Sequence, residues 1–207
     1  HMGTMPSKFT YNNNTYTPQS FAKEVLGFRE SDYINITSFK HHPFYQPFVV
    51  EVPDNFSNGA YYNLPLQEMI DLVKSAIGNG YTIMWDADVS NPGFMPKRGL
   101  AMHFDQVDNI ETDSIHPDVT EARWNEAIRQ QLFEGLVTQD DHLMHLIGTE
   151  KSKGGKPYFI VKNSWGEKGA YGGFMNVSES YFAINTISLV VPKAALSKAL
   201  LDKLKIQ

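Results

Sequence analysis

One β-hairpin constrains the fold of this chain more than any other feature of its sequence. Two apolar runs, residues 142–148 and 157–162, predict β-strands, and the polar turn at residues 151–156 favours their antiparallel pairing. His142 stands at the head of the first strand, and Asn163 directly follows the second. Because such a hairpin brings these two ends together, we expect the imidazole of His142 to contact the carboxamide of Asn163.

An imidazole held by a side-chain amide is the arrangement that a thiol protease uses. The nucleophile works as a thiolate, which a neighbouring imidazolium stabilises. One ring nitrogen faces the thiol, and the other needs a hydrogen-bond acceptor such as the amide oxygen of Asn163. Trp165, two residues beyond the asparagine, is large enough to cover that hydrogen bond and exclude competing water.

The nucleophile itself is missing from the sequence, because the 207 residues include no cysteine. This excludes disulfides, thiolate metal ligands and a thiol nucleophile carried by this chain. We therefore interpret the chain as the half of a cysteine peptidase that supplies the base and its orienting partner, without the half that carries the cysteine.

The residues around the histidine and the asparagine resemble a known family. Residues 162–166 (Lys-Asn-Ser-Trp-Gly) are similar to the asparagine region of papain-like cysteine peptidases. Residues 140–142 (Asp-Asp-His) resemble the histidine region of the bleomycin hydrolase and aminopeptidase C branch. Residues 17–26, 61–77 and 80–88 fit the same branch, so the resemblance covers nearly the whole chain beyond its first few residues.

The resemblance implies an α+β fold: a papain-like right-hand lobe in which an antiparallel β-sheet or half-barrel has flanking helices. It implies that His142 is the general base, that Asn163 orients it, and that Asp141 and Trp165 support the site. In the family, the cysteine and a glutamine of the oxyanion hole lie on the other lobe. Gly or Ala usually follows the histidine, so we expect Leu143 to fill part of the neighbouring substrate subsite.

The pattern along the chain divides it into four segments. They are a tag-derived or disordered start (1–7), an irregular and helical lead-in (8–64), the lobe with the catalytic-type residues (65–192) and a C-terminal helical segment (193–207). Within them we predict the following elements: helices at 18–26, 66–77 and 194–204, strands at 81–85, 142–148, 157–162, 173–177 and 187–191, irregular extended chain at 33–52, and a long surface connection at 89–117.

A further helix is expected in the second half of the chain. Residues 118–121 (Asp-Val-Thr-Glu) have the pattern of a capping box, which indicates the start of a helix. Trp124, Ile128, Leu132 and Phe133 then recur on one side of it.

Two other clusters carry polar residues without indicating a site. His41 and His42 are adjacent, but no third metal ligand accompanies them at a helpful spacing, which favours a partly buried pair in a loop. Asp86 and Asp88 follow a strand two residues apart, where turn formation is the common use. We therefore expect neither a metal nor a cofactor.

Composition limits the partners. A formal charge of -5 and a pI near 5.8 provide no basic stripe for nucleic acid, and no apolar run approaches the roughly 20 residues that span a bilayer. The expected partners are a peptide substrate and the missing cysteine-bearing lobe. A lobe without its partner exposes apolar surface, so we also expect self-association into a homo-oligomer or aggregate. The residues do not indicate a location, and only the family analogy implies the cytoplasm.

Three hypotheses follow. In the first, the chain is the His/Asn half of a bleomycin hydrolase-like aminopeptidase and is inactive alone. In the second, it is a non-catalytic peptide-binding or interaction module, as the absent cysteine and Leu143 suggest. In the third, activity arises when this chain and a separate cysteine-bearing chain assemble.

Overall fold

A computed structural model describes residues 4–53, 55–105 and 114–206. The chain forms two compact units, residues 1–33 and residues 34–207. The first unit contains an antiparallel hairpin of β1 (Phe9–Tyr11) and β2 (Asn14–Tyr16), followed by α1 (Pro18–Glu24). The α1 helix begins where the sequence predicts, because the Thr17 hydroxyl accepts a hydrogen bond from the backbone N–H of Ser20 at 3.1 Å.

The second unit contains a mixed sheet with flanking helices. Its strands are β3 (Tyr33–Thr37), β4 (Pro47–Val49), β5 (Ala60–Asn63), β6 (Ile83–Ala87), β7 (Phe94–Met95), β8 (Leu100–Ala101), β9 (His142–Lys151), β10 (Pro157–Lys162), β11 (Phe174–Ser178) and β12 (Thr186–Pro192). Its helices are α2 (Leu66–Gly78), α3 (Glu126–Glu134), α4 (Glu179–Asn185) and α5 (Lys198–Leu204).

The sheet is open, so it is not a closed barrel. Among the described residues, its strand order is β4-β5-β3-β12-β6-β9-β10-β11-β8-β7, with β4 and β7 at the two edges. Most neighbouring pairs are antiparallel, whereas β3–β5 and β8–β11 are parallel. The predicted α+β class, with a largely antiparallel sheet and flanking helices, is confirmed.

The central hairpin has the predicted form. Strands β9 and β10 pair antiparallel, from Pro157 opposite Lys151 to Lys162 opposite His145, with one register shift between Ile160 and Val161. Strand β6 pairs with the other edge of β9. Residues 142–146 of β9 pair with β6 and residues 145–151 pair with β10, so the backbone at His142 is held by its pairing with β6.

The main core lies between this sheet and helix α2. Leu66, Met69, Ile70 and Val73 are buried at helical spacing, as predicted. On the sheet, the indole of Trp85 is completely buried and donates a hydrogen bond to the Thr186 hydroxyl at 2.8 Å. Burial of this apolar face supplies most of the stabilisation of the sheet.

The expectation of irregular chain at residues 33–52 is wrong in part, because β3 and β4 belong to the sheet. Ile34 and Ile36 alternate onto the buried face of β3. Strand β4 begins at Pro47, and a proline in the sequence argues against a strand. It is allowed here because β4 is an edge strand, in which a missing backbone N–H is tolerated.

The predicted start of the third helix is also wrong. Helix α3 begins at Glu126, where the Asn125 side chain accepts from the backbone N–H of Ile128 at 2.9 Å. The carboxylate of Asp118 instead accepts from the backbone N–H of Gly154 and so binds the β9–β10 turn. The sequence prediction also missed the short helix α4. The connection at residues 89–117 contains β7 and β8, and its residues 106–113 lie outside the described residues.

No helix among the described residues has the length and apolar character needed to cross a membrane.

We expect Asn125→Ala to lower the free energy of unfolding by about 1 kcal/mol, because it removes the side-chain cap of α3. Thr120→Ala, inside the segment where the sequence suggested a cap, is the matched control and is expected to change stability by less than about 0.5 kcal/mol. Urea denaturation measures both. Equal losses in the two variants would contradict the helix start at Glu126.

Candidate active site

The structure brings His142 and Asn163 together at the end of the central hairpin. The Nε2 atom of His142 lies 2.8 Å from Oδ1 of Asn163. The asparagine is only 5% exposed, and its backbone N–H donates to the carbonyl of Gly173 at 2.9 Å. The predicted contact is therefore present, and it is held in a largely desolvated setting.

The hydrogen bonds around Asn163 determine which nitrogen of His142 carries the proton. The backbone N–H of Ser164 can only donate, and it lies 2.7 Å from Oδ1 of Asn163, which identifies that atom as the oxygen. His142 Nε2 must then be the donor in the second hydrogen bond to this oxygen. In the neutral imidazole, Nδ1 consequently bears the lone pair. That nitrogen is the one left to accept a proton from a nucleophile.

A glycine fixes the loop that presents Asn163. Gly173 has φ of 86°, a left-handed conformation that glycine adopts without strain. A Cβ atom at this position would lie 2.2 Å from the carbonyl oxygen of Gly166. Any other residue would push apart the two ends of the loop and displace Asn163, whose N–H binds the Gly173 carbonyl.

The indole of Trp165 packs beside the imidazole. The ring centroids of His142 and Trp165 are 4.8 Å apart with an interplanar angle of 35°, and Phe94 contacts the indole edge-on at 6.0 Å. Trp165 is nevertheless 43% exposed. The indole therefore shields one side of the imidazole and leaves part of its own surface open to solvent, which is less cover than a complete lid would give.

The residue before the histidine is anchored by its side chain. The Asp141 carboxylate accepts from the backbone N–H groups of Val89 at 3.1 Å and Ser90 at 2.9 Å. Desolvation opposes ionisation of Asp141, but hydrogen bonds from the Ser90 side chain and from these backbone groups outweigh it and hold its pKa below the ordinary value. Asp141 thereby ties the start of β9 to the turn after β6.

That turn is organised by a second carboxylate. Asp88 is buried, and it accepts from the backbone N–H groups of Ser90 at 2.9 Å and Gln139 at 3.0 Å. Burial raises its pKa, and the charge of Asp141 adds to the effect. The predicted turn role thus fits Asp88. It is wrong for Asp86, which lies within β6 and accepts a hydrogen bond from the Ser188 hydroxyl.

Leu143 lies opposite Asp86 in the β6–β9 pairing and is 56% exposed. With His142 it lines a groove of about 450 Å³, which is also lined by Asn55, Tyr61, Met84, Asp86, Asp140, Asp141, Ser164, Ser188 and Val190. The side chain thus occupies space directly beside the imidazole. Its role as the wall of a substrate subsite stays a prediction.

Sequence reasoning missed two residues of this site. Gln139 supports the turn beside Asp141 by donating to Asp88, whose turn role the sequence predicts, and Phe94 supports Trp165. Gln139 and Phe94 contact the site through long-range folding, which no spacing along the chain reveals.

Comparison with known proteins identifies the relatives of this chain. Residues 7–207 match the family described as the Peptidase C1-like family. Aminopeptidase C of Streptococcus thermophilus is 26% identical over 187 residues, which cover 87% of this chain and 40% of that protein. Aminopeptidase C of Listeria monocytogenes is 27% identical over 191 residues, which cover 90% of this chain and 41% of that protein.

A solved structure shows the same fold. The crystal structure of PepW from Lactobacillus rhamnosis aligns with a TM-score of 0.72 at 24% identity, over 99% of this chain and 47% of that chain. The chain thus spans less than half the length of the relatives that it matches. The predicted membership in the aminopeptidase C branch of papain-like cysteine peptidases is confirmed.

The tautomer of His142 can be measured directly. At a pH where the imidazole is neutral, ¹⁵N-correlated NMR spectra are expected to show the proton on Nε2, because Asn163 Oδ1 accepts it. In Asn163→Ala, we expect a mixture of the two tautomers. The exposed His145 provides the internal control and is expected to be unchanged. A proton on Nδ1 in the unmodified chain would contradict the proposed geometry.

Proposed function

Since this chain belongs to the Peptidase C1-like family, we propose that it is the His142- and Asn163-bearing half of a cysteine-type aminopeptidase. The observation that carries the proposal is the 2.8 Å hydrogen bond between these residues, which leaves Nδ1 of His142 available as a base. The nucleophilic cysteine has to come from outside the 207 residues, because the sequence contains none.

In the assembled enzyme, Nδ1 of His142 accepts the proton of the cysteine thiol, and the thiolate attacks the carbonyl carbon of the scissile peptide bond. The resulting imidazolium donates that proton to the leaving amine, which departs as the acyl-enzyme forms. The imidazole then activates water for hydrolysis of the thioester. Throughout these steps, Asn163 Oδ1 accepts the Nε2–H hydrogen bond and keeps the ring in one orientation.

The acidic residues of the groove beside His142 favour positively charged peptides as substrates. Its lining includes the acidic residues Asp86, Asp140 and Asp141. The charges of Asp86 and Asp140 also act on Tyr61 in the same groove, where desolvation first and these charges second raise the tyrosine pKa. A negative groove attracts the α-ammonium group of a peptide, which agrees with attack near the amino end.

Alone, the chain is expected to show no thiol-dependent hydrolysis of aminoacyl-coumarin substrates, because it has no nucleophile. When mixed with a separately produced cysteine-bearing lobe from the same organism, it is expected to restore turnover. His142→Ala should reduce that turnover by about 10²–10⁴-fold, the usual contribution of a general acid–base. Rates of coumarin release measure all three.

The exposed His145 offers the matched control, since His145→Ala changes an imidazole on the same strand but is expected to preserve the recovered turnover. Two results would contradict the proposal. One is activity of the repurified chain alone that a thiol alkylator abolishes. The other is recovered turnover that is equal in the His142→Ala variant and the unmodified chain.

A second function, peptide binding without catalysis, is supported by the groove together with the absent cysteine. Leu143 is exposed within that groove and offers an apolar contact to a peptide. This function is favoured if labelled peptides bind the chain while every mixture with a cysteine-bearing lobe stays inactive.

The apolar residues beside His142 are expected to cause self-association. Met84 and Leu143 both line the groove and are 45% and 56% exposed, and neighbouring exposed apolar side chains favour association. Sedimentation velocity should show a sedimentation coefficient that rises with concentration, and Met84→Ser combined with Leu143→Ser should weaken this rise. Leu136→Asn removes another exposed apolar side chain and serves as the control. A concentration-independent monomer would contradict the expectation.

A further inference from the structure

Three side chains with metal-binding atoms converge in the loop region beside β4. His41 and His42 lie in the connection between β3 and β4, and Glu51 follows β4. The structure supplies the third ligand that the spacing of the sequence did not reveal, since one ligand atom from each residue lies within 4.8 Å of the other two. We propose that His41, His42 and Glu51 form a binding site for a zinc-like divalent transition-metal ion.

The distances suit such an ion. Nε2 of His41 lies 3.5 Å from Oε2 of Glu51, and Nε2 of His42 lies 3.5 Å from Oε1 of the same carboxylate. In a tetrahedral zinc site with bonds of about 2.0–2.2 Å, neighbouring ligand atoms are roughly 3.4 Å apart. Small side-chain movements are therefore enough to direct all three ligands at one ion.

Aromatic neighbours hold the two imidazoles in place before any ion binds. The His42 ring stacks on Phe48 with centroids 4.2 Å apart and an interplanar angle of 21°. The His41 ring packs against Phe39 at 5.8 Å and Phe133 at 6.0 Å. Because these contacts restrict the imidazoles in the free protein, less rotamer entropy is lost on binding.

The third ligand is charged and accessible. The Glu51 side chain is 62% exposed, whereas those of His41 and His42 are 26% and 35% exposed, so an ion can enter from solvent. Desolvation opposes ionisation of Glu51, but a backbone hydrogen bond and the two histidines outweigh it and keep its pKa below the ordinary value. Three protein ligands leave a fourth tetrahedral position for water.

The chemistry of the ligands selects the class of ion. Two imidazoles and one carboxylate suit zinc and its neighbours in the first transition row, whereas calcium and magnesium favour ligand sets made of oxygen alone. The bound ion would connect the β3–β4 loop to the segment after β4. This inference concerns a different cluster from the His142 site and does not depend on the proposed peptidase function.

Gln130 limits the affinity. Its amide Nε2 lies 2.9 Å from Nδ1 of His41, while its Oε1 accepts from the backbone N–H of Lys40 at 2.6 Å. In the metal-free protein, His41 therefore carries its proton on Nε2. Metal binding at Nε2 moves that proton to Nδ1, so the Gln130 amide must rotate and give up its bond to Lys40. The site is therefore expected to bind zinc more weakly than a closed four-ligand site.

Equilibrium dialysis of the chain against Zn²⁺ tests the proposal, with His1→Ser in every protein so that this histidine contributes no ligand. We expect one Zn²⁺ per chain. Glu51→Gln preserves the shape of an exposed side chain and should weaken Zn²⁺ binding by at least about tenfold. Loss of a residue that only hydrogen-bonds a metal ligand already lowers metal affinity about 10–100-fold, and loss of the ligand itself is expected to cost at least as much. His116→Gln, at an exposed histidine outside the cluster, is the matched control and should bind like the unmodified chain.

Cobalt provides a second measurement. Co²⁺ added to the unmodified chain is expected to produce the visible absorption of a tetrahedral site, and this band should be lost in His42→Gln and retained in His116→Gln. Circular dichroism verifies that each variant is folded. Two results would overturn the proposal: no Zn²⁺ binding by the folded unmodified chain, or equal Zn²⁺ affinity of the Glu51→Gln variant. In either case, the two histidines would only interact with the Glu51 carboxylate and bind no metal.

Discussion

The chemistry proposed for this chain depends on one oxygen atom, Oδ1 of Asn163, which accepts two hydrogen bonds. The bond from the backbone N–H of Ser164 identifies the atom as oxygen, and the bond from Nε2 of His142 then fixes the tautomer of the imidazole. A buried carboxamide can impose this choice because leaving any of these groups without a partner is costly. The direction in which His142 offers its lone pair is therefore a property of the fold, present without a nucleophile.

The rest of the structure maintains this geometry. Strand β9 is paired on both edges, and the Asp141 carboxylate holds its start against the turn after β6. On the other side, Gly173 allows the loop after β10 to close, and its carbonyl binds the backbone of Asn163. The histidine and the asparagine are thus each fixed by backbone contacts as well as by each other. Such preorganisation is what acid–base catalysis requires.

Much of the site could be predicted from the sequence because it is local to a hairpin. The strands around His142 and Asn163 have clear apolar patterns, and a short antiparallel connection determines which ends meet. The fold class followed from the resemblance. The start of α3 was misplaced because Asp118 has the sequence of a helix cap but binds the β9–β10 turn instead. Local patterns cannot distinguish these uses of one carboxylate.

What remained hidden depends on contacts between distant segments. The parallel pairing of β3 with β5 joins two short strands whose register is set by the surrounding sheet. Glu51 lies nine residues beyond His42 with no motif between them, and only the turn of the chain before β4 brings its carboxylate to the two imidazoles. The contact between Gln139 and Asp88 is similar, since these residues are far apart along the sequence.

We propose that His142, held by Asn163, is a base aimed at a thiol that this chain does not carry. The most direct test is the pH dependence of alkylation of the cysteine in the assembled two-lobe protein. With the unmodified chain, we expect the thiol to react with an apparent pKa well below the roughly 8.5 of a free cysteine. With the His142→Ala chain, the value should return to about 8.5. An apparent pKa that is the same with both chains would contradict the account.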